Sequence, residues 1–104
     1  MALTRHFKVT VKARLERDPA FREALLAEAV NAWLGGERAI ANVLLRDLIN
    51  ATLGFERLAT KVKKPSKSLH RMLARNGNPN AANFQAILSV LQKETGVRLQ
   101  VRAS

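Results

Sequence analysis

Residues Phe55–Ala74, FERLATKVKKPSKSLHRMLA, hold two short helical patterns separated by a breaker. Phe55, Leu58, Ala59 and Val62 recur at helical spacing, and Lys63-Lys64-Pro65 interrupts them. Leu69, Met72 and Leu73 then resume the pattern over Ser66–Arg75. Counted from Phe55, the residues Leu58, Ala59, Val62, Leu69 and Met72 stand at positions four, five, eight, fifteen and eighteen. Those are the inward positions of a helix-turn-helix, whose second helix crosses the first and offers its outer face to a DNA major groove. A close crossing needs a small residue in the first helix, and Ala59 supplies it.

With Leu69 set to face the core, a helical wheel at about 100° per residue turns Lys67 and Arg71 directly outward, flanked by Ser68, His70 and Ala74. Ser66 opens the helix, where a hydroxyl and free backbone amides suit a phosphate. Ser66, Lys67, Ser68, His70 and Arg71 are therefore the candidate groove-facing residues, and Lys61, Lys63 and Lys64 the candidate phosphate contacts. The competing reading of Lys67 and Arg71 is a solvated helix face. Position nine of such a motif normally holds Gly in a left-handed backbone, and here it is Lys63, at a cost of about 1–2 kcal/mol. Alternatively the turn is one residue longer and Pro65 opens the second helix.

Charge points the same way. The 104 residues carry a formal +10, and Phe55–Pro79 has seven Lys/Arg against one acid, or +6, in 25 residues. Asp18–Gly54 is the acidic part, with five acids against three bases. A basic excess gathered in one window implies a polyanionic partner, nucleic acid first and an anionic membrane second.

Outward from the motif, Glu37–Asn50 reads as a central helix, with Ile40, Val43, Leu44 and Leu48 inward and Ala39, Leu45 and Ile49 beside them. Asp18-Pro19 begins a helix whose stripe is Phe21, Leu25, Leu26, Ala29 and Trp33, and Gly35-Gly36 ends it. Trp33 reads as core packing. Downstream, Asn76-Gly77-Asn78-Pro79 is a turn, and Asn80 caps a helix bearing Phe84, Ile87, Leu88 and Leu91 that stops at Gly96. At the two ends the pattern alternates. His6–Leu15 places Phe7, Val9, Val11, Ala13 and Leu15 on one side, and Val97–Arg102 does the same with Val97, Leu99 and Val101. The expectation is a mainly α single domain, residues 1–104, of about five helices. Its helix-turn-helix unit spans about 55–75, with short N- and C-terminal β-strands that pair within the chain or across a dimer. The basic N-terminal strand is either a protected edge or a second nucleic-acid contact.

Other classes find little support. No run of about 18 apolar residues crosses a membrane, and no apolar signal segment precedes the domain, so a cytoplasmic protein is expected. With no Cys and only His6 and His70 as imidazoles, neither metal binding nor a cofactor is expected. No phosphate loop or convergent acid–base group suggests an enzyme.

The run Asn50–Val101, containing GFERLA, PSKSLHRML, GNPN and GVRLQV, resembles the HigA-like addiction-module antidote (antitoxin) family, which has a lambda-repressor-like helix-turn-helix. The resemblance covers about half the chain well and the two preceding helices loosely. It implies a homodimer that binds double-stranded operator DNA, represses its own operon and neutralises a RelE-like toxin. An antitoxin that works by protein interaction alone, without significant DNA binding, is the alternative.

Overall fold

The computed structural model describes the backbone of residues 5–104 and side chains from residue 11 onward. Six helices follow one another: α1 (Arg5–Arg17), α2 (Pro19–Leu34), α3 (Arg38–Ala51), α4 (Gly54–Val62), α5 (Ser66–Met72) and α6 (Ala81–Thr95). Among the described residues there is no strand. The described residues are mainly α, as expected, but with six helices and without the terminal β-strands.

The first correction falls on His6–Leu15, which is helix α1. In this helix Leu15 is buried and Val11, one turn earlier, is half-buried against the core. A lone alternating segment needs a neighbouring strand to satisfy its amides, whereas a helix satisfies them internally. Arg14 and Arg17 in the last turn also suit the negative end of the helix dipole. The would-be partner, Val97–Arg102, forms no strand either and no helix. Gly96 turns the chain out of α6 with a φ of 73°, and Val97 and Leu99 then lie on the core as an irregular tail. The Leu99 amide donates to Gln92 Oε1 at 2.9 Å instead of to a strand, and Val101 is 93% exposed.

The remaining helix limits follow local chemistry. Asp18 caps α2, accepting the Phe21 amide at 3.1 Å, with Pro19 in the first helical position. The Phe21 amide is the main reason the Asp18 carboxyl sits below its ordinary pKa. Burial opposes that shift, and Arg14, 3.4 Å away, adds to it. Asn80 caps α6 in the same manner through the Asn83 amide at 2.8 Å.

The core sits between α2 and α3 and extends along α4, α5 and α6. Leu26, Leu45, Leu48, Leu58, Leu69, Leu73 and Leu91 have no exposed surface. Trp33 stacks on Phe84 with ring centroids 4.3 Å apart, joining α2 to α6. The α3 face is rotated from the expected one: Ala41, Asn42, Leu45, Leu48, Ile49 and Ala51 are buried, and Ile40 is 50% exposed. The buried face takes in polar Asn42 and leaves apolar Ile40 outside it, so apolar periodicity alone does not place it.

Candidate functional site

The site is the α4–turn–α5 unit. Phe55 and Leu58 from α4, with Leu69 from α5 and Leu73 at its end, anchor the two helices in the core, and Ala59, Val62 and Met72 pack at its margin. Between the helices, Lys63 adopts the left-handed conformation at φ 57° and ψ 47°, the only non-glycine among the described residues with positive φ. The Lys64 amide reaches back to the Ala59 carbonyl at 3.1 Å and closes α4. Pro65 is extended and stands just before α5, its carbonyl accepting the amides of Ser68 and Leu69 at 3.0 and 3.2 Å. The turn is thus Lys63–Pro65. Its first residue bears the strain that Gly would avoid, and its last stands at the cap instead of inside the helix.

Helix α5 ends at Met72, earlier than the expected Arg75. Two residues on neither α4 nor α5 fix that end. Asn42, fully buried on α3, donates from Nδ2 to the Ala74 carbonyl at 2.8 Å and to the Gly77 carbonyl at 3.0 Å. Gly77 backs onto the last turn of α5 so closely that a methyl group there would collide with the Met72 carbonyl. Asn42 was open to detection, since a lone amide in the apolar run AIANVLL signals a buried polar anchor. Gly77, legible only as a turn residue, is required here for close backbone approach.

Every candidate residue lies on this unit, though their settings differ. Lys63, Lys64, Lys67 and Arg71 are exposed, and Ser66 and Ser68 are half-buried. Lys67 and Arg71 stand four residues apart on one face of α5, a like-charge spacing that is slightly unfavourable until an anion arrives. His70 is exposed, yet its ring stacks on Phe55 at a centroid distance of 3.9 Å, so α4 restrains its orientation. Lys61 lies 3.9 Å from Glu94 of α6, which also holds Arg57 at 3.3 Å. Among the described residues, Lys63, Lys64, Lys67, Arg71 and Arg75 form no ion pair.

Among the described residues, no three His, Cys, Asp or Glu side chains gather as a metal site, and no helix is long and apolar enough to cross a membrane. No protein-family model matches the chain, and comparison with curated proteins and solved structures likewise gave no match.

Proposed function

We propose that the chain is a sequence-specific DNA-binding regulator, not an enzyme, built on a lambda-repressor-like helix-turn-helix. Helix α5 is the recognition helix. The observation that carries this reading is the set of five cations, Lys63, Lys64, Lys67, Arg71 and Arg75, displayed on one turn, one short helix and the loop that follows it, without an acidic partner there. Arg71 and Lys67 read base edges, Ser66, Ser68 and His70 flank them, and Lys63 and Lys64 hold phosphates. A homodimer would place two such units on half-sites about 34 Å apart.

The motifs shared with the HigA-like antidote family extend the reading to an antitoxin that represses its own operon. The helices of the acidic Asp18–Gly54 stretch, or a terminus, would then bind a RelE-like toxin. A purely toxin-binding antitoxin is the second reading, supported by the exposed Leu34 and Ile40 within that acidic part. Selection from random DNA separates the two. A consensus whose affinity falls about 1–3 kcal/mol in Arg71→Ala, with preference relaxed at one position, supports base reading. Lys67→Ala and Arg71→Ala proteins that bind as tightly as the parent would overturn the groove assignment.

A further inference from the structure

Glu94 is the one acid between Asn80 and Ser104, and it stands in the last turn of α6 facing the basic helix α4. Its Oε1 lies 3.3 Å from Arg57 Nη2 and 3.9 Å from Lys61 Nζ. Arg57 and Lys61 are one helical turn apart, and their side chains are 63% and 45% exposed, so an anion in solution has access to both. Lys61 also leads directly into the unpaired Lys63 and Lys64. A carboxylate offers a guanidinium or an ammonium the same charged oxygens that a phosphate does. The Glu94 carboxylate is already in place, whereas a phosphate must displace it.

We propose that Glu94 is an internal competitor for nucleic-acid phosphate, withholding Arg57 and Lys61 from the polyanion and keeping affinity for all DNA sequences low. This inference rests on the DNA-binding reading above. It divides the basic window into two classes. Arg57 and Lys61 are held by α6, while the turn and α5 supply the cations that engage DNA. Lys61, placed among the phosphate contacts by sequence, therefore makes no phosphate contact while Glu94 is charged. Because phosphate contacts carry no sequence information, releasing the two cations strengthens binding to every duplex and leaves the preference between duplexes unchanged.

The test measures dissociation constants over a range of salt concentration, on the selected site and on a scrambled duplex. Glu94→Gln keeps the side-chain shape and removes its charge. The expected result is a log–log salt slope steeper by about 0.9 for each cation released, about 1.8 for both, on both duplexes. Arg57→Gln/Lys61→Gln in the parent should leave the slope unchanged, and adding Glu94→Gln to that background should then change nothing. That last arm removes the trivial effect of one less negative charge on the molecule. A folded Glu94→Gln protein with the parental slope overturns the proposal. So does a slope that already falls in Arg57→Gln/Lys61→Gln alone, an arm that needs no change at Glu94. A parent protein that binds neither duplex instead refutes the DNA-binding reading, before any variant is compared.

Discussion

Gly77 has a backbone that glycine alone fits, because any β-carbon would strike the Met72 carbonyl and lie 2.8 Å from that of Arg71. Gly77→Ala is expected to cost about 1–3 kcal/mol in urea unfolding, the usual range for forcing an extra group into a packed site. On the proposed reading DNA affinity should fall as well, although Gly77 lies beyond α5, because the end of α5 must shift. Asn42→Ala should be at least as damaging. It strands the half-buried Gly77 carbonyl, at a cost of about 1–3 kcal/mol, and leaves the Ala74 carbonyl with only the Gly77 amide at 2.8 Å. Lys63 offers a test of opposite sign. Its left-handed backbone costs about 1–2 kcal/mol relative to glycine, less what the more flexible unfolded glycine gives back. Lys63→Gly should therefore raise the urea midpoint while flattening the salt dependence of DNA binding by about 0.9. A raised midpoint with the parental salt slope would show that Lys63 is not a phosphate contact.

Among elements, those that the sequence announces through caps and breakers are found close to their expected limits. Asp18-Pro19, Gly35-Gly36, Lys63–Pro65, Asn80 and Gly96 each act on the backbone locally and require no knowledge of tertiary neighbours. The misreadings fall where a local pattern fits two structures. The alternation of His6–Leu15 also contains Val11 and Leu15, four apart, and the absence of a partner strand decides for the helix. In α3 a polar residue, Asn42, lies within the buried face and apolar Ile40 outside it, against the apolar pattern. At the candidate site, the outward set of α5 follows from its own periodicity. The links Asn42–Ala74, Phe55–His70 and Glu94–Arg57 span distant positions, and single-element patterns do not reveal them. The Asp18 cap carries a prediction of its own. Its folded-state pKa is depressed, so its contribution is fully present above the ordinary aspartate range and is lost as pH falls through the folded value. Thermal melts below about pH 4 should show the parent losing stability faster than Asp18→Asn, which keeps a capping oxygen but does not titrate. Parallel curves would remove Asp18 from the acid response.

For the whole molecule, the charge is partitioned: the basic window lies on α4, the turn, α5 and the loop after it, and the acidic excess of Asp18–Gly54 on α2 and the two capping residues Asp18 and Glu37. A dimer able to span two half-sites is expected in sedimentation at tens of micromolar, and a monomer throughout would confine recognition to a single half-site. The tail after Gly96 does not supply a strand within the chain, so its role in that dimer is open to truncation after Gly96, which should leave the helical core folded. The far ends of the helical core meet at one side chain. Arg22 donates from Nη1 to the carbonyls of Leu15 and Glu16, at 2.8 and 3.3 Å, and from Nε to that of Thr95 at 3.4 Å. These carbonyls close α1 and α6, so a single guanidinium sits against the negative ends of two helices from opposite parts of the sequence. Helix ends commonly fray on their own, each with its own small opening free energy. Here the last turns of α1 and α6 should open as one event, with their amide hydrogens exchanging at matched rates in the parent. In Arg22→Met, whose side chain keeps the apolar stem but donates nothing, the two sets of amides should exchange faster and independently of each other.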